Sequence, residues 1–361
     1  MVVYEKRIMT KFQNLHQPTG RIINIDEKDY LFFGGTAYLG LLDNPDYIEL
    51  FKKGIDVYGL NNGTSRSNNV QLGIYNEAED FLAKNFGFES SAIFSGGYLA
   101  VQATVRTFLQ DKAVFYAPDA HPSLWLTAEN KVVGDFATWL IGVVDEINSS
   151  EEEEFVVVSN TLDNLKPEFY DFTPLLSIDS KKYITLIIDD SHGIGVINEN
   201  AISVALETFK ILPNFNIIVV ASLAKGMGTD AGVVLSSFAN ISILKRSPMF
   251  MGASPCSPAA LFALINSEKI RSDAYDKLQR NIAYFRQRIH ELKCIKFIDD
   301  FPVFTSSESE MYSYLLENKV LISSFPYPLA TSPLLNRVVV SSLHTEGDLD
   351  LLSESLVNRF S

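Results

Sequence analysis

The chain has 361 residues, of which 47% are hydrophobic and 20% are charged, as in a globular protein long enough for two domains. Its formal net charge of -14 argues against a nucleic-acid partner, because a phosphate backbone binds basic surfaces, and it disfavours polyanionic acyl carriers such as coenzyme A. Apolar stretches such as residues 217–223 are too short to span a bilayer, and the N-terminus has charges where a signal peptide needs an apolar run. We therefore expect a cytoplasmic protein.

In chain order, the sequence predicts a hairpin, then strands that alternate with helices, and finally a helix-rich C-terminal part. The predicted elements are a hairpin within 21–33, a helix at 76–85, a strand at 91–94, a helix at 97–110, strands at 155–159, 184–188 and 217–221, one long helix at 258–292, short strands within 296–305 and 336–343, and a last helix from Glu346.

Strands that alternate with helices predict βαβ units and a mainly parallel sheet with right-handed crossovers. After about Pro258 the pattern changes to long helices and short strands. We expect an N-terminal segment at 1–35 that packs with the small domain, a large α/β domain at 36–255, and a smaller α+β domain at 256–361.

Lys225 is the most informative residue. It follows the apolar run 217–221 and lies among small residues and glycines. A lysine at the mouth of a buried strand is desolvated, which lowers its pKa and favours the neutral amine that forms a Schiff base with an aldehyde. Ser222, at the end of the same run, is a candidate donor to a phosphate. A surface lysine in an ordinary strand-to-turn connection would show the same local pattern.

Asp189 and Asp190 follow a second apolar run, and His192 and two glycines come next. Ligands of open α/β sheets bind at the carboxyl ends of strands, so these side chains are expected at the site. A carboxylate there can hold a pyridine nitrogen protonated, which makes the ring an electron sink. Metal binding by the Asp-Asp-Ser-His cluster is the alternative, but one carboxyl cluster with one histidine is a thin ligand set, and we predict no metal. The two cysteines, Cys256 and Cys294, show no metal-ligand spacing either.

Two further segments complete the predicted site. A short strand runs through Ser-Gly-Gly into a helix at Gly97, and backbone N–H groups at such a helix start can bind a phosphate. His121 follows a strand-like run, where its imidazole can stack on a cofactor ring, although a single histidine in such a place is often only structural.

Taken together and in this order, these segments resemble the α-oxoamine synthase family of fold-type I pyridoxal-phosphate (PLP) enzymes. The resemblance covers about residues 30–356. The motifs that carry it are Tyr38-Leu39-Gly40-Leu41, Gly63-Thr64-Ser65-Arg66, Asp189-Asp190-Ser191-His192-Gly193, Ser222-Leu223-Ala224-Lys225-Gly226-Met227-Gly228, and Arg337 with Ser342-Leu343-His344-Thr345. It implies the aminotransferase-like α/β fold, with a mainly parallel central sheet and a smaller α+β C-terminal domain.

The resemblance implies four catalytic residues around the cofactor. Lys225 would carry PLP as a Schiff base, and Asp189 would pair with its pyridine nitrogen. His121 would stack on the ring, and His192 would lie near the ring hydroxyl.

It also implies how the phosphate and the substrate are bound. Gly97 and Tyr98 would offer backbone amides to the phosphate, and Ser222 its hydroxyl. Ser254 falls where the family places a residue that reaches the phosphate of the neighbouring subunit, in a homodimer with a shared active site. Arg337 matches the arginine that holds the amino-acid carboxylate, and Thr36 lies where the family has an asparagine on the substrate side.

The implied reaction is a condensation of an amino acid with an acyl thioester, carried by coenzyme A or acyl carrier protein, usually with decarboxylation. This chain departs from the family mainly on the substrate side, at Thr36-Ala37 and at residues 160–167. Those departures leave two alternatives. One is another PLP reaction without an acyl donor, such as transamination, aldol cleavage or decarboxylation. The other is a PLP-binding partner subunit without activity, which would be expected to lack Lys225.

Overall fold

The structure is a computed structural model in which residues 12–126, 132–163, 165–326, 332 and 334–361 are described. Residues 1–11 of the predicted N-terminal segment and Asn164 of the altered 160–167 stretch lie outside the described residues.

The strands are β1 (Ile22–Ile25), β2 (Lys28–Phe33), β3 (Ser90–Phe94), β4 (Ala113–Tyr116), β5 (Glu154–Asn160), β6 (Leu162–Asp163), β7 (Glu168–Phe169), β8 (Tyr183–Asp189), β9 (Phe215–Ser222), β10 (Gly232–Ser236), β11 (Val303–Ser306), β12 (Val320–Pro326) and β13 (Leu334–Val339). The helices are α1 (Pro45–Tyr58), α2 (Ile74–Asn85), α3 (Gly97–Phe108), α4 (Phe136–Ser149), α5 (Glu207–Lys210), α6 (Phe238–Lys245), α7 (Pro248–Gly252), α8 (Pro258–Asn266), α9 (Glu268–Ile289), α10 (Met311–Glu317) and α11 (Glu346–Phe360). The predicted hairpin at 21–33 is confirmed, because β1 and β2 pair antiparallel.

The larger sheet has the strand order β3-β10-β9-β8-β5-β4. The pairs β4–β5, β5–β8 and β8–β9 are parallel, and β10 lies antiparallel between β3 and β9. Alternate side chains of a strand point to opposite faces, so Phe155 and Val157 of β5 belong to one hydrophobic cluster, and Val156 and Val158 belong to another. The sheet is therefore buried on both faces, which explains the continuous apolar runs in its sequence.

The second sheet, of order β1-β2-β12-β13-β11, joins the N-terminal hairpin to C-terminal strands. Its core includes Phe33, Phe285 and Phe304, and α9 and α11 pack on it. The predicted single helix at 258–292 is wrong, because α8 ends at Asn266 and α9 begins at Glu268. Between them, the Ser267 hydroxyl donates to the Leu264 carbonyl (3.1 Å), and such local side-chain bonds compete with continuous helix.

Two features of the fold position the predicted site. The loop that follows β2 leads through Tyr38 into α1, which begins with Pro45 after Asn44 has capped the first N–H groups. Strand β13 delivers Arg337 from the second sheet. In the described part of the chain, no helix is long and apolar enough to cross a membrane.

Candidate active site

The site lies where the parallel strands of the larger sheet end. Asp189 is the last residue of β8, and Ser222 is the last residue of β9. The two strand ends are tied together, because the Ser222 N–H donates to the Ser191 hydroxyl oxygen (2.8 Å). Residues that are 31 positions apart in sequence thus meet at one edge of the sheet.

A chain of three hydrogen bonds crosses the site. Lys225 Nζ lies 2.9 Å from His192 Nε2, and His192 Nδ1 lies 2.8 Å from the Tyr38 hydroxyl. That hydroxyl accepts a hydrogen bond from Arg337 Nη2 at 2.9 Å. Four residues from four parts of the sequence are thereby brought together, and three of them, Lys225, His192 and Arg337, are predicted site residues.

The surroundings of these hydrogen-bonded residues favour the neutral forms of Lys225 and His192. Burial lowers the pKa of Lys225, and Arg337 lowers it further while Asp189 opposes the change. Burial also holds the pKa of His192 well below its usual range, with the cations of Lys225 and Arg337 acting in the same direction. The neutral amine is the form that attacks an aldehyde, and a lowered pKa raises its population. Lys225 therefore has the environment expected for a Schiff-base lysine.

The two neighbouring aspartates have different surroundings. Asp189 Oδ1 accepts the Ser191 N–H (2.9 Å), and the charge of Asp189 acts on the pKa values of both Lys225 and His121. Asp190 is fully buried, accepts hydrogen bonds from Thr161 and Ser203, and has a pKa raised to about 7 by burial. Asp189 therefore faces the site, whereas Asp190 holds the turn behind it.

Gly97 and Ser222 form a close pair at the start of α3. A Cβ atom placed on Gly97 would lie 2.5 Å from the Cβ and 3.0 Å from the Oγ of Ser222, so only glycine allows this approach. Gly96 precedes α3 and has no side chain with which to cap its first N–H groups. A helix start beside a serine hydroxyl is a suitable place for a phosphate.

The turn that carries His121 is held by two hydrogen bonds of Asn160, the last residue of β5, and these two bonds are called the brace. Asn160 Oδ1 accepts the His121 N–H (3.2 Å), and Asn160 Nδ2 donates to the Asp119 carbonyl (2.9 Å). Lys166 makes an ion pair with Asp119 at 2.8 Å. Burial lowers the pKa of His121, Asp189 raises it and Lys225 lowers it, so the imidazole lies near the two residues predicted to contact the cofactor ring.

Arg337 has a free bonding position. It is only 5% exposed, its Nη1 donates to the Gly35 carbonyl (3.2 Å), and its Nε has no hydrogen-bond partner among the described residues. Thr36 is the residue next to Gly35. A buried guanidinium nitrogen without a partner is costly unless a ligand bonds to it, and a carboxylate suits a guanidinium.

Two predicted site residues have exposed side chains. The Tyr98 side chain, in the first turn of α3, is 66% exposed. Ser254 lies in the loop between α7 and α8, and its side chain is exposed.

The sequence-based prediction missed Tyr38 and Asn160 as site residues. Tyr38 belongs to the Tyr-Leu-Gly-Leu motif, which was a usable signal, but nothing in that motif indicates a bond to His192. Asn160 ends β5 in the way that Asp189 ends β8, and its position at a strand end could have identified it.

The described residues fit PLP by their chemistry. A lysine with a lowered pKa suits its aldehyde, a buried carboxylate suits its ring nitrogen, and the Gly97–Ser222 turn suits its phosphate. The Nε of Arg337, which has no partner in the described part of the chain, suits the carboxylate of an amino acid.

Comparison with known proteins agrees with this fit. The family model for class I and II aminotransferases matches residues 142–356. The 8-amino-7-oxononanoate synthases of Nitrosomonas eutropha and Petrotoga mobilis are 23% and 26% identical to the chain, cover 95% of it, and are matched over 93% and 91% of their own length.

Solved structures have the same fold. A serine palmitoyltransferase from Sphingomonas wittichii has a TM-score of 0.78 at 16% identity and covers 99% of this chain and 96% of its own. The 8-amino-7-oxononanoate synthase of Francisella tularensis has a TM-score of 0.70 at 19% identity, covering 92% and 99%. The predicted fold type and the resemblance to α-oxoamine synthases are confirmed, and PLP is the cofactor of this group. The chain belongs to the family of class I and II aminotransferases.

Proposed function

We propose that the chain is a PLP-dependent acyltransferase that condenses an amino acid with an acyl thioester, carried by coenzyme A or acyl carrier protein. The hydrogen-bonded chain from Lys225 to Arg337 carries the proposal, because it joins the residue that would react at the amino group to the residue that would hold the carboxylate. The names of the relatives support the acyl-transfer chemistry.

Each side chain then has a defined task. Arg337 binds the carboxylate of the amino acid through its free Nε, which fixes the orientation of the α-carbon. Lys225, with its lowered pKa, takes the proton from that α-carbon as a general base. With PLP bound, Asp189 would hold the proton of the ring nitrogen, and His121 would pack beside the ring. When bound, PLP supplies the electron sink for the negative charge that develops at the α-carbon.

The test is release of free thiol. The protein, supplied with PLP, is incubated with a panel of amino acids and acyl thioesters, and thiol is measured with a chromogenic reagent. We expect one amino acid to release thiol in proportion to a ketone product, and Arg337→Ala to raise the KM for that amino acid. Exchange of amino groups between amino and keto acids without thiol release would contradict acyl transfer and favour transamination.

The oligomeric state, the role of Ser254, the cellular location and the domain division belong to the same proposal. A homodimer is supported by exposed large apolar side chains, namely Leu60, Val70 and Tyr98, because such side chains are often covered by a partner. A shared site is supported because Tyr98 directly follows Gly97, which lies at the proposed phosphate site. Ser254 would reach the partner's phosphate. A cytoplasmic location is supported by two cysteines that are both free. The two sheets support the division into a segment at 1–35, a large domain at 36–255 and a small domain at 256–361.

A further inference from the structure

Tyr38 lies at the centre of the hydrogen-bonded chain. Its side chain is 0% exposed, and its oxygen contacts two groups among the described residues, Arg337 Nη2 at 2.9 Å and His192 Nδ1 at 2.8 Å. The fully buried ring, tilted beside Phe301, leaves the hydroxyl little freedom to turn elsewhere.

The direction of each hydrogen bond follows from the donors present. A guanidinium only donates, so the Tyr38 oxygen accepts from Arg337 and its own hydrogen is left for His192 Nδ1. His192 is neutral near pH 7, because burial and the positive charge of Arg337 lower its pKa. A neutral imidazole that accepts at Nδ1 carries its hydrogen on Nε2.

The Nε2–H group points at Lys225. With Nε2 as the donor, Lys225 Nζ at 2.9 Å must accept, which only the neutral amine can do. The opposite arrangement has a Lys225 ammonium that donates to Nε2 and an Nδ1–H that donates to Tyr38. It would leave the Tyr38 hydrogen without an acceptor among the residues that the structure describes, which is costly in a buried site.

We propose that Tyr38 is a positioning residue, whose hydroxyl holds His192 in the Nε2–H tautomer and so presents a fixed donor to Lys225. The inference rests on the proposed function for its catalytic meaning. Arg337, at the far end of the chain, orients the Tyr38 hydroxyl, so the residue proposed to bind the substrate carboxylate also sets the hydrogen-bond direction at the proposed base.

The experiment reads the tautomer directly. Cofactor-free protein labelled with ¹⁵N and ¹³C at its 5 histidines is compared with the variants Tyr38→Phe and Tyr75→Phe by two-dimensional ¹⁵N NMR at pH 7.5. The control is matched, because Tyr75 is also buried and donates one hydrogen bond, in its case to the Cys256 carbonyl (2.9 Å).

In the wild type we expect a protonated Nε2 and an unprotonated Nδ1 on His192. In Tyr38→Phe we expect both nitrogen shifts to move toward the other tautomer, and in Tyr75→Phe we expect them to stay. An Nδ1–H tautomer in the wild type would overturn the inference even if Tyr38→Phe did not fold, and so would unchanged His192 shifts in a folded Tyr38→Phe.

Activity gives a second, separate reading. Removing the partner that orients a functional histidine costs about 10- to 100-fold in metal enzymes, and we expect a fall of that order in the kcat of thiol release for Tyr38→Phe. If the wild type has the expected tautomer but releases no thiol with any substrate, the proposed function fails and the tautomer assignment stands. If thiol is released but the tautomer is the other one, the inference alone fails.

Discussion

Replacing Asn160 with alanine tests how the site holds His121. The change removes both hydrogen bonds of the brace, to the His121 N–H and to the Asp119 carbonyl. Asp119 has φ of 57°, in the left-handed region, where a residue with a Cβ is disfavoured by roughly 1–2 kcal/mol. Without Asn160, the turn that carries His121 is free to relax from this conformation.

The magnitude follows from the two lost bonds. Each net hydrogen bond contributes about 0.5–1.5 kcal/mol, so the pair contributes about 2 kcal/mol. The dissociation constant of PLP therefore rises by at most about 30-fold, the value reached if the whole loss falls on the cofactor complex, since about 1.4 kcal/mol corresponds to tenfold.

The assay compares Asn160→Ala with a matched control, Asn148→Ala. Asn148 makes the same kind of brace, donating to the Ser177 carbonyl (3.1 Å) and accepting the Asp179 N–H (2.8 Å), but it lies on α4 away from the site. We expect urea unfolding to show a loss of stability in both variants, and PLP titration to show weaker binding in Asn160→Ala alone. Equal PLP affinity in the wild type and a folded Asn160→Ala would refute the role of the brace.

Two further changes test other parts of the structure. Gly97→Ala places a Cβ 2.5 Å from the Cβ of Ser222, and overpacking of this kind costs about 1–3 kcal/mol. If that cost falls on the cofactor complex, PLP affinity should fall by about 5- to 150-fold in a titration, and unchanged affinity would show that this turn does not bind the phosphate. Burial opposes ionisation of Asp348, but hydrogen bonds from Arg21 and Thr345 outweigh it and lower its pKa to about 2, below the ordinary 3.8. The ionised Asp348 carboxylate therefore stabilises the folded protein above the ordinary pKa, and this stabilisation is lost as pH falls toward about 2. In urea unfolding, Asp348→Asn should lower the free energy of unfolding by on the order of 1–2 kcal/mol at pH 7 and by progressively less below pH 4. A difference that stays constant with pH would contradict this linkage.

The parallel strands were predictable because of their burial. The predicted strands at 184–188 and 217–221 lie within β8 and β9, which are covered on both faces and so read as continuous apolar runs. The same strands placed Asp189 and Ser222 correctly at the edge of the sheet, because ligand-binding residues of parallel sheets lie at the carboxyl ends of strands.

Long-range contacts were not predictable. Strand β10 pairs antiparallel with both β3 and β9, a choice made by tertiary packing and not by its own sequence. Tyr38 contacts residues 154 and 299 positions away, and no local pattern encodes such a pair. The break at Ser267 has a local cause, yet the bond from Arg271 to the Ser267 hydroxyl that accompanies it appears only once the helix is packed.

The most direct test of the assignment is whether PLP becomes attached to Lys225. The purified protein is incubated with PLP, reduced with borohydride, digested, and analysed by mass spectrometry, alongside Lys225→Ala and Lys210→Ala. Lys210 is a suitable control, because burial also lowers its pKa but it bonds to the Gly87 carbonyl (2.9 Å), outside the site. We expect one modified peptide, containing Lys225, in the wild type and in Lys210→Ala, and none in Lys225→Ala. A protein that takes up no PLP, or a Lys225→Ala variant that is modified as the wild type is, would contradict the assignment.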